Sequence, residues 1–389
     1  MMTALPSRSR SKFASIVLTL LAGLLLGASF ALADTPQGFQ VAGGPVEVAG
    51  VPGIYQWQFQ DQVGTTPYDK IGLNRIARGP HAQARRDITV LYLPGTNMNG
   101  EIPMFDPRYS FPVYLATKGV DVWSFDYRTH FVSPTVSAAA ISDVFRGWTN
   151  QVFESDIATA ANFILRQTGS QKLFVAGFSR GVFFAYYFAA MHADQVAGII
   201  ALDGFIPHRE SQPMPESQAV DDLAGKNLTW DKRQFLMQAV IQDPDGPAPL
   251  PKYKTAAENL EHVVYDSKDF GGKGGLANPF DGYSNPVVLA RMLIGYDRYW
   301  PAIQNYQNPF TPQLREALKV TRIPVLAFSS TNITPDWSTW VTDSAHATGS
   351  DDVTLHVFQN WGHLDVLCGT QAEAKVFAPT LAWLKQHQK

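Results

Sequence analysis

Within this 389-residue chain, the stretch Leu173-Phe174-Val175-Ala176-Gly177-Phe178-Ser179-Arg180-Gly181 constrains the fold most tightly. An apolar run of strand length leads directly into Gly-x-Ser-x-Gly. An aromatic and alanine-rich segment of helical length, 182–192, follows. Strand, sharp turn and helix are the context this motif needs. Ser179 is placed at the tip of a strained turn whose backbone doubles back. Glycine at 177 and 181 removes the Cβ atoms that would collide there. Gly181, Ala185 and Ala189 then recur at i, i+4 and i+8, a small-residue stripe that lets a helix pack closely on a sheet. A serine that merely caps a helix would explain Ser179 but not both glycines.

The rest of the chain repeats this rhythm. Residues 88–93 form a buried-strand pattern ending at Pro94-Gly95-Thr96-Asn97. A short helix follows near 113–118, then a strand at 120–125, an amphipathic helix at 154–167 and the strand carrying Ser179. Another strand, 195–202, ends at Asp203. Strands at 324–328 and 353–358 and a terminal helix at about 371–386 complete the pattern. Strands alternating with helices predict an α/β protein with a mostly parallel central sheet and helices on both faces, its chemistry at the strand C-termini. Residues 34–80, rich in Gly, Pro and Gln with alternating patches, predict antiparallel edge strands. Between 204 and 309 the alternation stops, and Pro-rich and Gly-rich turns, two or more helices and the aromatics Tyr283, Tyr296, Tyr299, Trp300 and Tyr306 appear instead.

In this order of elements, and in three short stretches around Gly95, Ser179 and His363, the chain resembles the α/β-hydrolase family, specifically its lipase and esterase-like serine hydrolases with a lid insertion. The resemblance implies a hydrolase core in two parts, 34–203 and 310–389, with 204–309 as a cap roofing the site. A serine hydroxyl is a poor nucleophile at neutral pH and needs an imidazole in reach, with an anion behind it to fix the tautomer. Of the nine histidines, His363 lies in the loop after the last strand, in Asn360-Trp361-Gly362-His363-Leu364-Asp365, where the family keeps its base. After the strand at 324–328 the family usually has an Asp, but this chain has Ser330, Thr331 and Asn332. Asp336 is the nearest carboxylate and the expected acid. Asp203 is the alternative, since some lipases of the family carry the acid at the preceding strand end. Asp126 and Asp365 read as structural. The elbow implies an oxyanion-hole N–H at Arg180, and the Pro94-Gly95-Thr96 loop a second one at Thr96, with Asn97 as second choice.

These residues lead us to expect cleavage of a carboxylic ester through an acyl-enzyme on Ser179, with the aromatic content of the insert and of 182–188 favouring an apolar acyl or aryl group. Acyl transfer or amide hydrolysis on the same triad is an alternative. A secreted binding protein that kept the scaffold and lost the chemistry is another. No cofactor is expected. No metal is expected either, since the chain has no His-x-x-x-His pair and one thiol, Cys368.

Arg8, Arg10 and Lys12 precede an apolar run at 13–30 and the small-residue ending Ala31-Leu32-Ala33. This pattern predicts a signal peptide at 1–33 cleaved after Ala33, hence a secreted or periplasmic protein with no stable membrane insertion after cleavage. A membrane anchor is the alternative reading of the same run. A net charge of −3 with interspersed signs suggests neither nucleic acid nor an anionic membrane as a partner; the expected partner is the small-molecule ester that the hydrolase resemblance implies. A single cysteine provides no disulfide framework, so stability must come from the core.

Overall fold

The computed structural model describes residues 38–80, 87–101, 106–224, 228–266 and 284–388. The expected signal peptide and Tyr283 lie outside the described residues. In chain order the strands are β1 (Gln40–Glu47), β2 (Ile54–Gln62), β3 (Lys70–Arg78), β4 (Thr89–Leu93), β5 (Asp121–Asp126), β6 (Leu173–Phe178), β7 (Val196–Leu202), β8 (Val220–Asp222), β9 (Tyr299–Pro301), β10 (Val325–Ser330) and β11 (Val353–Phe358). The helices are α1 (Phe111–Thr117), α2 (Ala138–Gly147), α3 (Asn150–Thr168), α4 (Arg180–Met191), α5 (Trp230–Gln242), α6 (Ala256–Glu261), α7 (Pro286–Ile294), α8 (Ile303–Tyr306), α9 (Pro312–Lys319), α10 (Trp337–Ala345), α11 (Asp365–Cys368) and α12 (Ala378–His387).

Nine strands form one sheet in the order β1-β2-β3-β5-β4-β6-β7-β10-β11. β1, β2 and β3 pair antiparallel, as the alternating patches at 34–80 predict, and β3 joins β5 antiparallel. From β5 to β11 every pairing is parallel. Successive residues of the central strands enter opposite cores. Leu91, Val175, Ile199 and Ala327 pack with α3 and α4 on one face. Val90, Tyr92, Phe174, Ile200 and Leu326 pack with α1 and α12 on the other. This period-two burial on both faces is why the strands read as continuous apolar runs. Each large apolar side chain so buried contributes about 1.5–3 kcal/mol.

Helix α3 starts before the sequence pattern suggested because Thr149 caps it, its Oγ1 accepting the Val152 N–H at 3.3 Å. The chain leaves β4 toward β5 and β6 toward β7, in opposite directions along the sheet. The carboxyl ends of the adjacent strands β4 and β6 therefore flank a topological switch point, where such sheets place their sites.

The insert between β7 and β10 docks firmly on this frame. Its β8 and β9 pair antiparallel, and Tyr299 Oη donates to the Val136 carbonyl at 2.6 Å. Trp300 is fully buried, with its ring edge-on to Tyr127 and Phe153. Tyr299 and Trp300 are thus part of the main core and carry no information about a substrate. No helix among the described residues is long and apolar enough to cross a membrane.

Candidate active site

The strand β6 delivers Ser179 to the helix α4 through a turn in which Ser179 itself takes φ 54° and ψ −116°. A non-glycine residue at positive φ is strained, and such strain concentrates at functional turns. A Cβ on Gly177 would stand 2.3 Å from the Gly181 backbone, and one on Gly181 would stand 1.9 Å from the Leu93 carbonyl oxygen. Both glycines of the motif are therefore required by backbone crowding, as the sequence predicts. The Ser179 N–H donates to the Leu202 carbonyl at 3.0 Å, which ties the elbow to the end of β7 one residue before Asp203.

Asp203 is fully buried and also at positive φ, 52°. Four donors surround its carboxylate. His363 Nδ1 lies 2.7 Å from Oδ2, the Ser330 N–H donates to Oδ1 at 2.7 Å, Ser330 Oγ donates to Oδ2 at 2.5 Å and Trp337 Nε1 donates to Oδ1 at 3.0 Å. The expectation that Asp336 stands behind His363 is therefore corrected. Asp336 is exposed at the N-cap of α10, and its residue neighbour Trp337 is the one that turns inward. The physical reason lies at the end of β10, where Ser330 occupies the ground the family usually gives to an acid and serves Asp203 as a donor. Without a neighbouring carboxylate there, Asp203 can be buried with its oxygen lone pairs filled by donors.

His363 is held on three sides. Phe178 stacks on its ring at 4.7 Å and Trp337 meets it edge-on at 5.1 Å, while Asp203 fixes Nδ1. Nδ1 facing the acid leaves Nε2 as the free face of the ring. The loop carrying His363 is braced by Asp365, which accepts from the Gly362 N–H at 2.7 Å and from Ser284 Oγ at 2.6 Å. Asp126 braces the other loop, accepting from the Gly100 N–H at 2.6 Å and Asn74 Nδ2 at 2.7 Å. Both acids are structural, as read from the sequence.

The expected oxyanion donors are the N–H groups of Arg180, which directly follows Ser179, and of Thr96. Arg180 opens α4, so its N–H has no intrahelical acceptor. Gly95, the residue before Thr96, approaches so closely that a Cβ there would be 3.2 Å from Ser179 Cβ. Within 95–100 only Thr96 is partly exposed, and Asn97 is buried with φ 61°. The Arg180 side chain turns away to donate to Asn305 Oδ1 at 2.5 Å. Burial, helped by the nearby Arg209 charge, pushes its guanidinium down to about 10. Beyond Asn305 opens a polar cavity of about 160 Å³ lined by Arg209, Glu210, Gln212, Gln218, Asn305 and Tyr306.

The sequence does not mark Ser330 and Trp337, the groups that select Asp203 as the partner of His363, as donors. The only signal for Ser330 was the missing carboxylate at its position.

Comparison with known proteins agrees with this architecture. The sequence profile described as alpha/beta hydrolase fold matches residues 88–369. The chain belongs to that family. Among solved structures, a protein named as a candidate lipase from Sulfolobus solfataricus is 24% identical with a TM-score of 0.71, the match covering 90% of this chain and 99% of that one. A thermophilic esterase from Thermogutta terrifontis is 16% identical with a TM-score of 0.43, over 85% and 99% of the two chains. A monoacylglycerol lipase from Paleococcus ferrophilus is 15% identical with a TM-score of 0.45, over 78% and 96%. A search of curated protein sequences returned no match.

Proposed function

We propose that this hydrolase cleaves carboxylic esters through an acyl-enzyme on Ser179. The observation that carries the reading is the 2.7 Å contact between His363 Nδ1 and Asp203, made at the strand end next to a serine held at positive φ. In the forward step Ser179 Oγ bonds to the ester carbonyl carbon while His363 Nε2 takes its proton. The charge on the acyl oxygen is met by the Arg180 and Thr96 N–H groups. The carbon–oxygen bond to the alcohol then breaks as His363 returns that proton to the leaving oxygen. Water, deprotonated by the same imidazole, releases the acid and restores Ser179. The Asp203 carboxylate holds the imidazole tautomer and stabilises the imidazolium throughout.

A half-buried aromatic group beside His363 supports an apolar acyl or aryl moiety. Phe205 lies 4.8 Å from Trp337 and 5.1 Å from Trp340. The segment 204–309 would act as the cap over this site, and the leader 1–33 would direct the chain out of the cytoplasm.

Intact-mass labelling with a fluorophosphonate tests the chemistry. One adduct on the wild-type chain and none on Ser179→Ala is expected, with turnover of the variant lower by on the order of a million-fold. An unlabelled but folded wild-type protein would instead favour a binding role on the same scaffold. Offering an activated ester together with a primary alcohol or amine, and weighing the products, separates hydrolysis from acyl transfer.

A further inference from the structure

The oxyanion loop after β4 is not held by the hydrolase core alone. Asn97 is bonded at both ends to a single residue of the insert. Its carbonyl accepts the Asp297 N–H at 2.7 Å, and its Nδ2 donates to the Asp297 carbonyl at 3.0 Å. Two residues on, Asn99 Nδ2 donates to Asp297 Oδ1 at 3.0 Å and to the Gly295 carbonyl at 2.9 Å. Asn97 takes a left-handed φ of 61°, so the peptide carrying its carbonyl is set by this clamp, and the peptide that carries the Thr96 N–H is separated from it by one peptide, Thr96–Asn97.

Asp297 itself cannot drift. Its carboxylate meets His130 Nδ1 at 3.0 Å. The next residue, Arg298, is ion-paired to Asp222 at 2.8 Å and donates to the Pro134 carbonyl at 2.7 Å, and Tyr299 and Trp300 are sunk in the core. These bonds join residues about two hundred apart in sequence, and their donors Asn97 and Asn99 are buried while the acceptors Gly295 and Asp297 are half-buried.

We propose that Asp297 is a positioning residue for the oxyanion hole, fixing Asn97 and Asn99 so that the Thr96 N–H is aimed at the acyl oxygen. This inference rests on the ester-hydrolase reading above. It makes the insert part of the catalytic geometry as well as a cover. A lid that only gates access would leave acylation by a very small ester untouched when its contacts to the core are cut. A lid that sets an oxyanion donor would not. Removing a donor from a preset oxyanion hole lowers turnover by about 10²–10³-fold, and misaiming one gives a smaller loss of the same kind.

The test uses the full chain with p-nitrophenyl acetate as substrate and phenylboronic acid as a tetrahedral mimic of the charged intermediate. Asp297→Ala is expected to lower kcat about 10–100-fold with KM within about threefold, and to weaken phenylboronic acid by the same factor as kcat. Both variants keep the main-chain bonds to Asn97; Asp297→Asn also keeps an oxygen for Asn99, and is expected to recover most of that loss. Should Asp297→Ala fail to fold, Asn99→Ala is measured by the same criteria, since it cuts the loop bond while leaving the Asp297 pair with His130 intact.

Fluorophosphonate labelling of the wild-type chain is read first. An unlabelled wild type sinks the ester-hydrolase reading and this inference with it. A labelled wild type with a folded Asp297→Ala variant that keeps kcat within twofold sinks the inference alone. A loss that Asp297→Asn does not recover, or that leaves phenylboronic acid affinity unchanged, also overturns it. Either result would assign Asp297 to the charge balance of His130 and not to the loop.

Discussion

His363 Nδ1 lies 2.7 Å from Asp203 Oδ2, so the anion behind the imidazole comes from the end of β7, while the end of β10 contributes Ser330 as a donor to that same carboxylate. Acid and support have exchanged strands relative to the arrangement the sequence suggests. The exchange keeps a carboxylate at the same place in space because β7 and β10 are paired neighbours, with Leu202 opposite Phe328.

This relationship predicts a clear contrast between two conservative changes. Asp203→Asn preserves shape but presents an amide where the imidazole N–H needs an acceptor, favouring the wrong tautomer, and turnover should fall by about 10⁴-fold. Asp336→Asn should leave turnover within about twofold, because the exposed Asp336 side chain makes no capping bond to α10. Steady-state kinetics on both variants decide it, and comparable losses would mean that the 2.7 Å contact is not the working one.

What was legible in the sequence follows from the range of the interactions. The elbow at Ser179 is local: strand, glycine-spaced turn and helix lie within one short stretch, so period and composition expose it. The parallel sheet was legible for the same reason, each strand being an apolar run with its own flanking turn. The choice between Asp203 and Asp336 was not, because both follow ordinary turn or cap contexts. The groups that decide, Ser330 and Trp337, bond to Asp203 across 127 and 134 residues. Tyr299 and Trp300 misled in the opposite sense. Their aromatic character suggested a substrate-facing cap, but burial against Tyr127, Phe145 and Phe153 makes them anchors.

Two glycines that look alike in sequence should respond very differently to alanine. A Cβ on Gly181 would meet the Leu93 carbonyl oxygen at 1.9 Å and its carbon at 2.6 Å, all backbone of a central strand that cannot yield. Gly181→Ala should therefore destabilise the fold by about 3 kcal/mol or more. Gly169 ends α3 at φ 68° with no atom within 4 Å of a built Cβ, so Gly169→Ala should lose only the left-handed backbone preference, about 1–2 kcal/mol. Urea unfolding of both variants checks the ranking, and a milder effect at Gly181 would contradict the crowding argument.

The last prediction concerns the acids around His130, which sits in the turn Arg128–Phe131 facing Asp297, Asp126 and Glu101. Burial opposes its charge, but the three carboxylates together outweigh that and push its pKa up to about 10. An unfolded histidine titrates near 6.5. Below about pH 6.5 both states carry the proton, and the stabilisation from the carboxylates is fully present. Between about pH 6.5 and 10 the folded chain holds a proton that the unfolded chain has released, so the unfolded state binds fewer protons and stability must fall as pH rises. Asp126 acts in a lower window, since burial pushes its carboxyl up to about 6, and its contribution also declines with rising pH, between about pH 4 and 6. Melting temperature followed from pH 6.5 to 10 should therefore drop more steeply in the wild-type chain than in His130→Gln, which has no proton to lose in that range. Parallel curves for the two proteins would mean that His130 is already neutral in the folded state, and the pairing of His130 with Asp297 would then be a neutral hydrogen bond and not an ion pair.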